Sequence, residues 1–147
     1  VGFAKTTSGF GKVLNEKGLR FIYHNHNLEF HKFDGMTGME ILFSETDPEC
    51  FDFEMDTYWV QAGGADPTEW IRRLKGRMDV IHFKDMVMYQ GSQAMAEVGE
   101  GNLNWPSIIS ACRETGVKWA AVEQDICMRD PFESLKISFD NLKKMGL

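Results

Sequence analysis

Residues Cys50-Phe-Asp-Phe-Glu-Met-Asp56 alternate apolar and acidic side chains without a break. A strand sends successive side chains to opposite faces, so Phe51, Phe53 and Met55 share one side while Asp52, Glu54 and Asp56 share the other. The same parity runs through three further stretches. Met78-Asp-Val-Ile-His-Phe-Lys84 sets Ile81 and Phe83 against His82 and Lys84. Leu19-Arg-Phe-Ile-Tyr-His-Asn-His26 sets Phe21 and Tyr23 against His24 and His26. Val117-Lys-Trp-Ala-Ala-Val-Glu-Gln124 sets Ala120 and Val122 against Ala121 and Glu123, a face that Asp125 continues. Each strand therefore has an apolar side suited to covering helices, and a polar side whose chemistry gathers at its C-terminal end.

Helix signals separate the strands. Phe3, Phe10, Val13 and Leu14 recur at helical spacing ahead of Gly18, which predicts a helix over residues 1–17. Gly38 to Ser44 is short, apolar and stops before Asp47-Pro48. Asp66-Pro67-Thr68-Glu69 and Asp130-Pro131-Phe132-Glu133 each offer an N-cap, a proline at the first helical position and a capping-box glutamate. They start helices running to Gly76 and Met145, and Pro106 opens another that ends near Gly116. Asp34-Gly35 reads as a loop, as does the longer segment Asp85 to Asn104 with its run Glu97-Val-Gly-Glu-Gly-Asn102. One helix followed by four βα units is a parallel α/β pattern. The phosphate-binding fingerprint GxGxxG is absent after the first strand, which counts against dinucleotide binding.

The bulk properties narrow the function classes. At 147 residues, with 43% hydrophobic and 26% charged residues, the chain fits a single domain over 1–147. Its net charge of −6 repels phosphodiester backbones, so nucleic acid is not an expected partner. Cys50, Cys112 and Cys127 are an odd set without CxxC spacing and suggest neither a disulfide framework nor structural zinc. No run approaches the roughly 18 to 20 apolar residues that span a bilayer, so no membrane partner is expected. The chain opens on Val1, not Met. The cytoplasm is the expected compartment and the periplasm the alternative.

Polar side chains on a strand covered from both sides are costly unless paired or bound to an ion. Imidazole and carboxylate together suit zinc, manganese, iron or cobalt, and such a mixed set suits a catalytic metal better than a structural one. The candidate ligands are Asp56, His82, Glu123 and either His24 or His26. Singly, each has a bland reading: a strand histidine is usually hydrogen-bonded in a core or rim, and a carboxylate at a strand end usually caps the next helix. Four consecutive strands ending in ligand-type residues of matching parity point instead to a metal or substrate site.

Six stretches together resemble the xylose isomerase-like TIM barrels of the sugar phosphate isomerase/epimerase family. They are Tyr23-His-Asn-His-Asn-Leu-Glu-Phe30, Met55-Asp-Thr-Tyr-Trp59, Ala62-Gly-Gly-Ala-Asp-Pro67, Ile81-His-Phe-Lys-Asp-Met86, Val98-Gly-Glu-Gly-Asn-Leu103 and Val122-Glu-Gln-Asp125. The resemblance implies the C-terminal half, four βα units, of a (β/α)8 barrel, with two open sheet edges that invite self-association. It also implies one divalent ion (Mn, Zn, Mg or Co) held by Glu, Asp, His and Glu from the last four strands. Asp56, His82 and Glu123 match, while the first glutamate falls on His24.

Family epimerases use the two ligand glutamates as an acid/base pair, so here Glu123 and His24 or nearby His26 are the candidate proton-transfer groups. Lys84 and Glu97 are candidates for binding sugar hydroxyls or a carbonyl oxygen, and Trp59 and Trp105 for walling a sugar face. The expected activity is metal-dependent isomerisation or epimerisation of an α-hydroxy-carbonyl carbohydrate. The alternatives are a keto-glycoside lyase or hydrolase at the same site, and a sugar-binding fragment without turnover. A phosphodiesterase is a further rival, because a DNA-repair endonuclease family shares this fold with a three-metal site; four histidines and the negative charge count against it.

Overall fold

The computed structural model describes residues 1–147. In chain order the elements are α1 (Gly2–Asn15), β1 (Ile22–His24), a 3-10 turn (Leu28–Phe30), β2 (Lys32–Phe33), β3 (Met36–Thr37) and α2 (Gly38–Glu45), then β4 (Asp52–Asp56), α3 (Thr57–Ala62) and α4 (Pro67–Arg73). They continue with β5 (Val80–Phe83), β6 (Asp85–Tyr89), β7 (Ser92–Ala96), α5 (Trp105–Thr115), β8 (Trp119–Val122) and α6 (Pro131–Lys144). The alternating stretch that opened the sequence becomes β4, the second strand of a four-stranded sheet in the order β1-β4-β5-β8. Every neighbouring pair is parallel. With helices on one side only, this is half of a (β/α)8 barrel.

Parity decides which side the helices cover. Phe51, Phe53, Met55, Ile81 and Phe83 are buried almost completely and pack with Ile71, Leu74, Trp105 and Ile108 of the covering layer. Each such side chain contributes roughly 1.5–3 kcal/mol through apolar surface removed from water. The opposite face carries Asp52, Glu54, Asp56 and His82 together with Ile22 and Trp119, and Trp119 is 70% exposed. At the N-terminal ends of the strands, Arg20 bridges Asp52 and Asp79, and Lys118 joins Asp79 at 3.0 Å. Nearby, the buried guanidinium of Arg77 donates to the carbonyls of Phe43 and Phe51 and to Thr46 Oγ1, tying α2 to β4. That end is built for cohesion, which leaves the opposite end free for chemistry.

Several local expectations are corrected. The α1 helix forms, but its buried residues are Ala4, Thr7, Ser8 and Gly11, while Phe3, Phe10 and Val13 stay exposed. Gly11 explains the choice: a Cβ there would collide with the carbonyl oxygen of Cys50, so only the small-residue face can approach. The loop expected over residues 85–104 contains the antiparallel ribbon β6–β7, turning at Gln90-Gly91, and a smaller hairpin, β2–β3, turns at Asp34-Gly35. Neither predicted capping box closes; Asp66 caps Thr68 N–H alone, and Glu69 faces Arg72. Asp130 caps Phe132 and Glu133 without a reciprocal bond from Glu133. The reciprocal pair lies instead at Thr37 and Glu40, ahead of α2. No helix is long and apolar enough to cross a membrane.

Candidate metal centre

Four strand ends bring four ligand-type side chains to one point. One ligand atom each from His24, Asp56, His82 and Glu123 can be chosen so that all lie within 4.8 Å of one another. Register produces this: His82 is the direct cross-strand partner of Asp56, His24 pairs with Glu54 one step below, and Glu123 follows the end of β8. Three bonds hold the frame. Buried Asn25 accepts the Asp56 backbone N–H at 3.1 Å, and Thr57 Oγ1 exchanges bonds with both backbone groups of Lys84, at 3.0 and 2.8 Å.

His24 and His26 separate here. The chain leaves the sheet after His24, whose ring lies 4.6 Å from that of His82. His26 is exposed, its ring 5.0 Å from His24 on one side and 5.0 Å from Trp59 on the other. Glu29 fixes this corner by accepting from the Tyr23 hydroxyl at 2.6 Å and from the His26 backbone N–H at 2.8 Å.

Lys84 supplies the counter-charge. Its side chain is 1% exposed, and its ammonium lies 2.8 Å from Asp125, 2.9 Å from Glu123 and 3.1 Å from Asp56. Burial opposes the charge on Lys84, but the three carboxylates outweigh it and hold the ammonium above the ordinary lysine value. Burial also acts on Glu123, where bonding to Lys84 and His82 prevails and keeps the carboxyl below the usual glutamate value. For Asp56 burial wins over the Trp59 N–H and Lys84, and its carboxyl is pushed up. Burial pushes the His24 imidazole down, with His82 adding to the effect, so His24 is a neutral donor of a lone pair near neutral pH.

Within this cluster, His24 Nδ1 is buried without a hydrogen-bond partner, and the buried Asp56 Oδ2 has the Lys84 ammonium, at 3.1 Å, as its nearest partner. Buried polar atoms normally have partners, and a lone pair beside carboxylate oxygens is the arrangement a divalent cation satisfies. The residues therefore fit one divalent ion. Trp59 Nε1, close to Asp56 in sequence, is a further buried atom without a hydrogen-bond partner.

Two of the other sequence candidates lie elsewhere. Trp105 is 3% exposed, packs edge-on against Phe83 and donates its indole N–H to Asp85, so it has no open face for a sugar. Glu97 is buried and committed to Ser134 Oγ at 2.8 Å and Arg129 at 3.2 Å. Lys84 has its ammonium occupied by three carboxylates, and Trp59 stands beside the cluster, 5.5 Å from that ammonium.

The residue that sequence reading passed over is Asp85. Completely buried, it accepts five bonds: Met86 N–H at 2.7 Å and Leu103 N–H at 3.2 Å on Oδ1, with Gly99 N–H at 2.9 Å, Gly101 N–H at 3.0 Å and Trp105 Nε1 at 2.6 Å on Oδ2. The run Glu97–Asn102 wraps this one carboxylate. A Cβ on Gly101 would overlap it, which is the signal its two glycines carried.

Comparison with known proteins agrees with this architecture. The family described as xylose isomerase-like TIM barrel matches residues 3–145. An inosose dehydratase from Lacticaseibacillus casei is 29% identical over 143 residues, covering 84% of this chain and 47% of its own. One from Bacillus cereus (strain AH820) is 26% identical over 156 residues, covering 93% and 52%. The crystal structure of a sugar phosphate isomerase/epimerase from Parabacteroides distasonis superposes with a TM-score of 0.83 at 26% identity, over 98% of this chain and 51% of that one. The chain spans about half the length of the curated relatives it matches.

Proposed function

This chain belongs to the xylose isomerase-like TIM barrel family, and on that premise we propose that it carries the metal-holding half of an enzyme that moves a proton beside the carbonyl of a carbohydrate. The convergence of His24, Asp56, His82 and Glu123 within 4.8 Å carries this reading. These four residues hold the ion, for which the mixed imidazole and carboxylate set favours manganese, zinc or cobalt over magnesium. When bound, a divalent ion there polarises the substrate carbonyl and offsets the negative charge that proton removal leaves on its oxygen.

Glu123, partly exposed and kept ionised by Lys84, takes the proton from the carbon next to that carbonyl. His26 stands outside the ligand set but beside it, and it returns a proton from the other side to complete an epimerisation. A second reading has specific support: the relatives named inosose dehydratase favour elimination. There His26 hands its proton to the departing hydroxyl, which leaves as water. Trp59, on the same corner, gives the substrate an apolar edge.

Two further proposals accompany the site. The half barrel self-associates through its open edges, where exposed Phe3, Phe10, Trp119 and Phe139 leave apolar surface uncovered. The three free cysteines suit a reducing cytoplasm.

Elemental analysis after gentle purification, followed by thermal shifts with Mn²⁺, Co²⁺ and Zn²⁺, tests the metal. Substoichiometric metal with no shift on addition overturns the reading. Product analysis on keto-sugars, keto-glycosides and an inosose then separates an exchanged stereocentre from loss of water.

A further inference from the structure

The imidazole of His82 is held from both sides. Its Nδ1 lies 2.9 Å from Glu123 Oε2 and 3.9 Å from Asp56 Oδ2, and so faces the cluster. Its Nε2 points the opposite way, 3.3 Å from Glu54 Oε1. Glu54 projects from the same face of β4 as Asp56, one pleat nearer the N-terminal end, and is the cross-strand partner of His24. Its side chain is largely buried, at 19% exposure, and His82 is its one ion-pair partner.

Both ring nitrogens face carboxylates, so the tautomer is open until an ion takes Nδ1 in place of its contact with Glu123; the hydrogen then sits on Nε2, facing Glu54. The lone pair is then on Nδ1, aimed at Asp56 and Glu123. A ligand histidine whose other nitrogen donates to a carboxylate has its tautomer and ring orientation fixed and its basicity raised.

We propose that Glu54 is a positioning residue of this centre: accepting the Nε2 proton of His82, it holds the ring so that unprotonated Nδ1 meets the ion. The inference rests on the metal-centre reading and deepens it. It also explains why an acidic side chain occupies a largely buried place on a sheet face where Val80, on the neighbouring strand, is apolar. Glu54 touches no reacting atom in this assignment and acts through His82 alone.

The test compares wild type, Glu54→Gln and Glu54→Ala, titrated with Zn²⁺ and Mn²⁺ by calorimetry against a competing chelator. Glu54→Ala is expected to weaken metal binding by about 10- to 100-fold, the usual range for removing such a partner. Glu54→Gln keeps an amide oxygen for the Nε2 hydrogen and is expected to recover most of that loss. Long-range ¹⁵N–¹H spectra of the imidazole in the Zn²⁺-loaded protein provide a readout that does not depend on activity. They should show a hydrogen-bonded proton on His82 Nε2 in wild type and Glu54→Gln, and an Nε2 proton exchanging rapidly with water in Glu54→Ala. If wild type binds no metal, the proposed function falls. If wild type binds and Glu54→Ala binds within about two-fold of it, or if His82 of the Zn²⁺-loaded wild type carries its proton on Nδ1, this inference alone is overturned. Should Glu54→Ala fail to fold, the wild-type tautomer and the Glu54→Gln affinity decide.

Discussion

Replacing Asp85 tests the most connected side chain in the molecule. Its carboxylate accepts five hydrogen bonds between 2.6 and 3.2 Å, four from backbone N–H groups and one from an indole. At about 1.5–3 kcal/mol for each bond to a charged group, simple addition approaches or exceeds the roughly 5–15 kcal/mol of a whole domain, so the bonds cannot be additive. The cost of Asp85→Ala is set by the donors that stay dry. Gly99 is exposed and regains water, Met86, Gly101 and Leu103 are half-buried, and the Trp105 indole is buried in the core. One stranded buried donor and three partly compensated ones give about 4 kcal/mol. At roughly 2–4 °C per kcal/mol for a chain of this size, Tm falls by about 8–16 °C.

Asp85→Asn separates charge and acceptor count from shape. Whichever way the amide turns, its NH₂ group faces two or three donors, so the substitution should cost nearly as much as alanine. Thermal melts followed by circular dichroism give both numbers. A Tm within about 2 °C of wild type for either variant would falsify the role assigned to this carboxylate.

Three substitutions probe the site, and one measurement probes the edges. His24→Ala should weaken Zn²⁺ or Mn²⁺ binding by two orders of magnitude or more, whereas His26→Ala should leave affinity within about three-fold and abolish turnover, with calorimetry and product assays reading the split. Lys84→Met leaves three carboxylates facing one another and should destabilise the fold by about 3–5 kcal/mol at neutral pH. Glu123 is held below the ordinary glutamate value, so its stabilising pairing is complete above that ordinary value and lost as pH falls through its folded one; the gap between wild type and Lys84→Met should therefore narrow on acidification, in urea melts across that range. Light scattering at micromolar concentration should report a species larger than the monomer, and a well-folded monomer would remove the proposed edge association.

Much of this site was legible because parity along a strand is a local property. Asp56, His82 and Glu123 stand on the polar side of β4, β5 and β8 by counting alone, and their convergence needs only parallel pairing in register. Counting could not separate His24 from His26, which share a face in an extended chain. The choice is tertiary: Asn25 is drawn inward to the Asp56 N–H while Glu29 holds the next turn.

Packing partners were equally hidden. The apolar period of α1 was visible, but Gly11 against the Cys50 carbonyl turned the small-residue face inward and left Phe3 and Phe10 outside. Trp105 and Glu97 have chemistry suited to a sugar site, yet Asp85, Ser134 and Arg129, each remote in sequence, claim them. Asp85 gave no signal beyond two glycines in a run that reads as an ordinary turn.

All four candidate ligands come from one contiguous sheet, and that has a consequence for engineering. A candidate cradle whose four side chains all stand at the ends of β1, β4, β5 and β8 can be treated as an exchangeable cassette. Grafting different complementary halves against its two edges would vary the shape presented to a substrate while leaving the ion's cradle unchanged. Selectivity and metal retention then become separately evolvable traits, and a library of such chimeras can be screened for the first without risking the second.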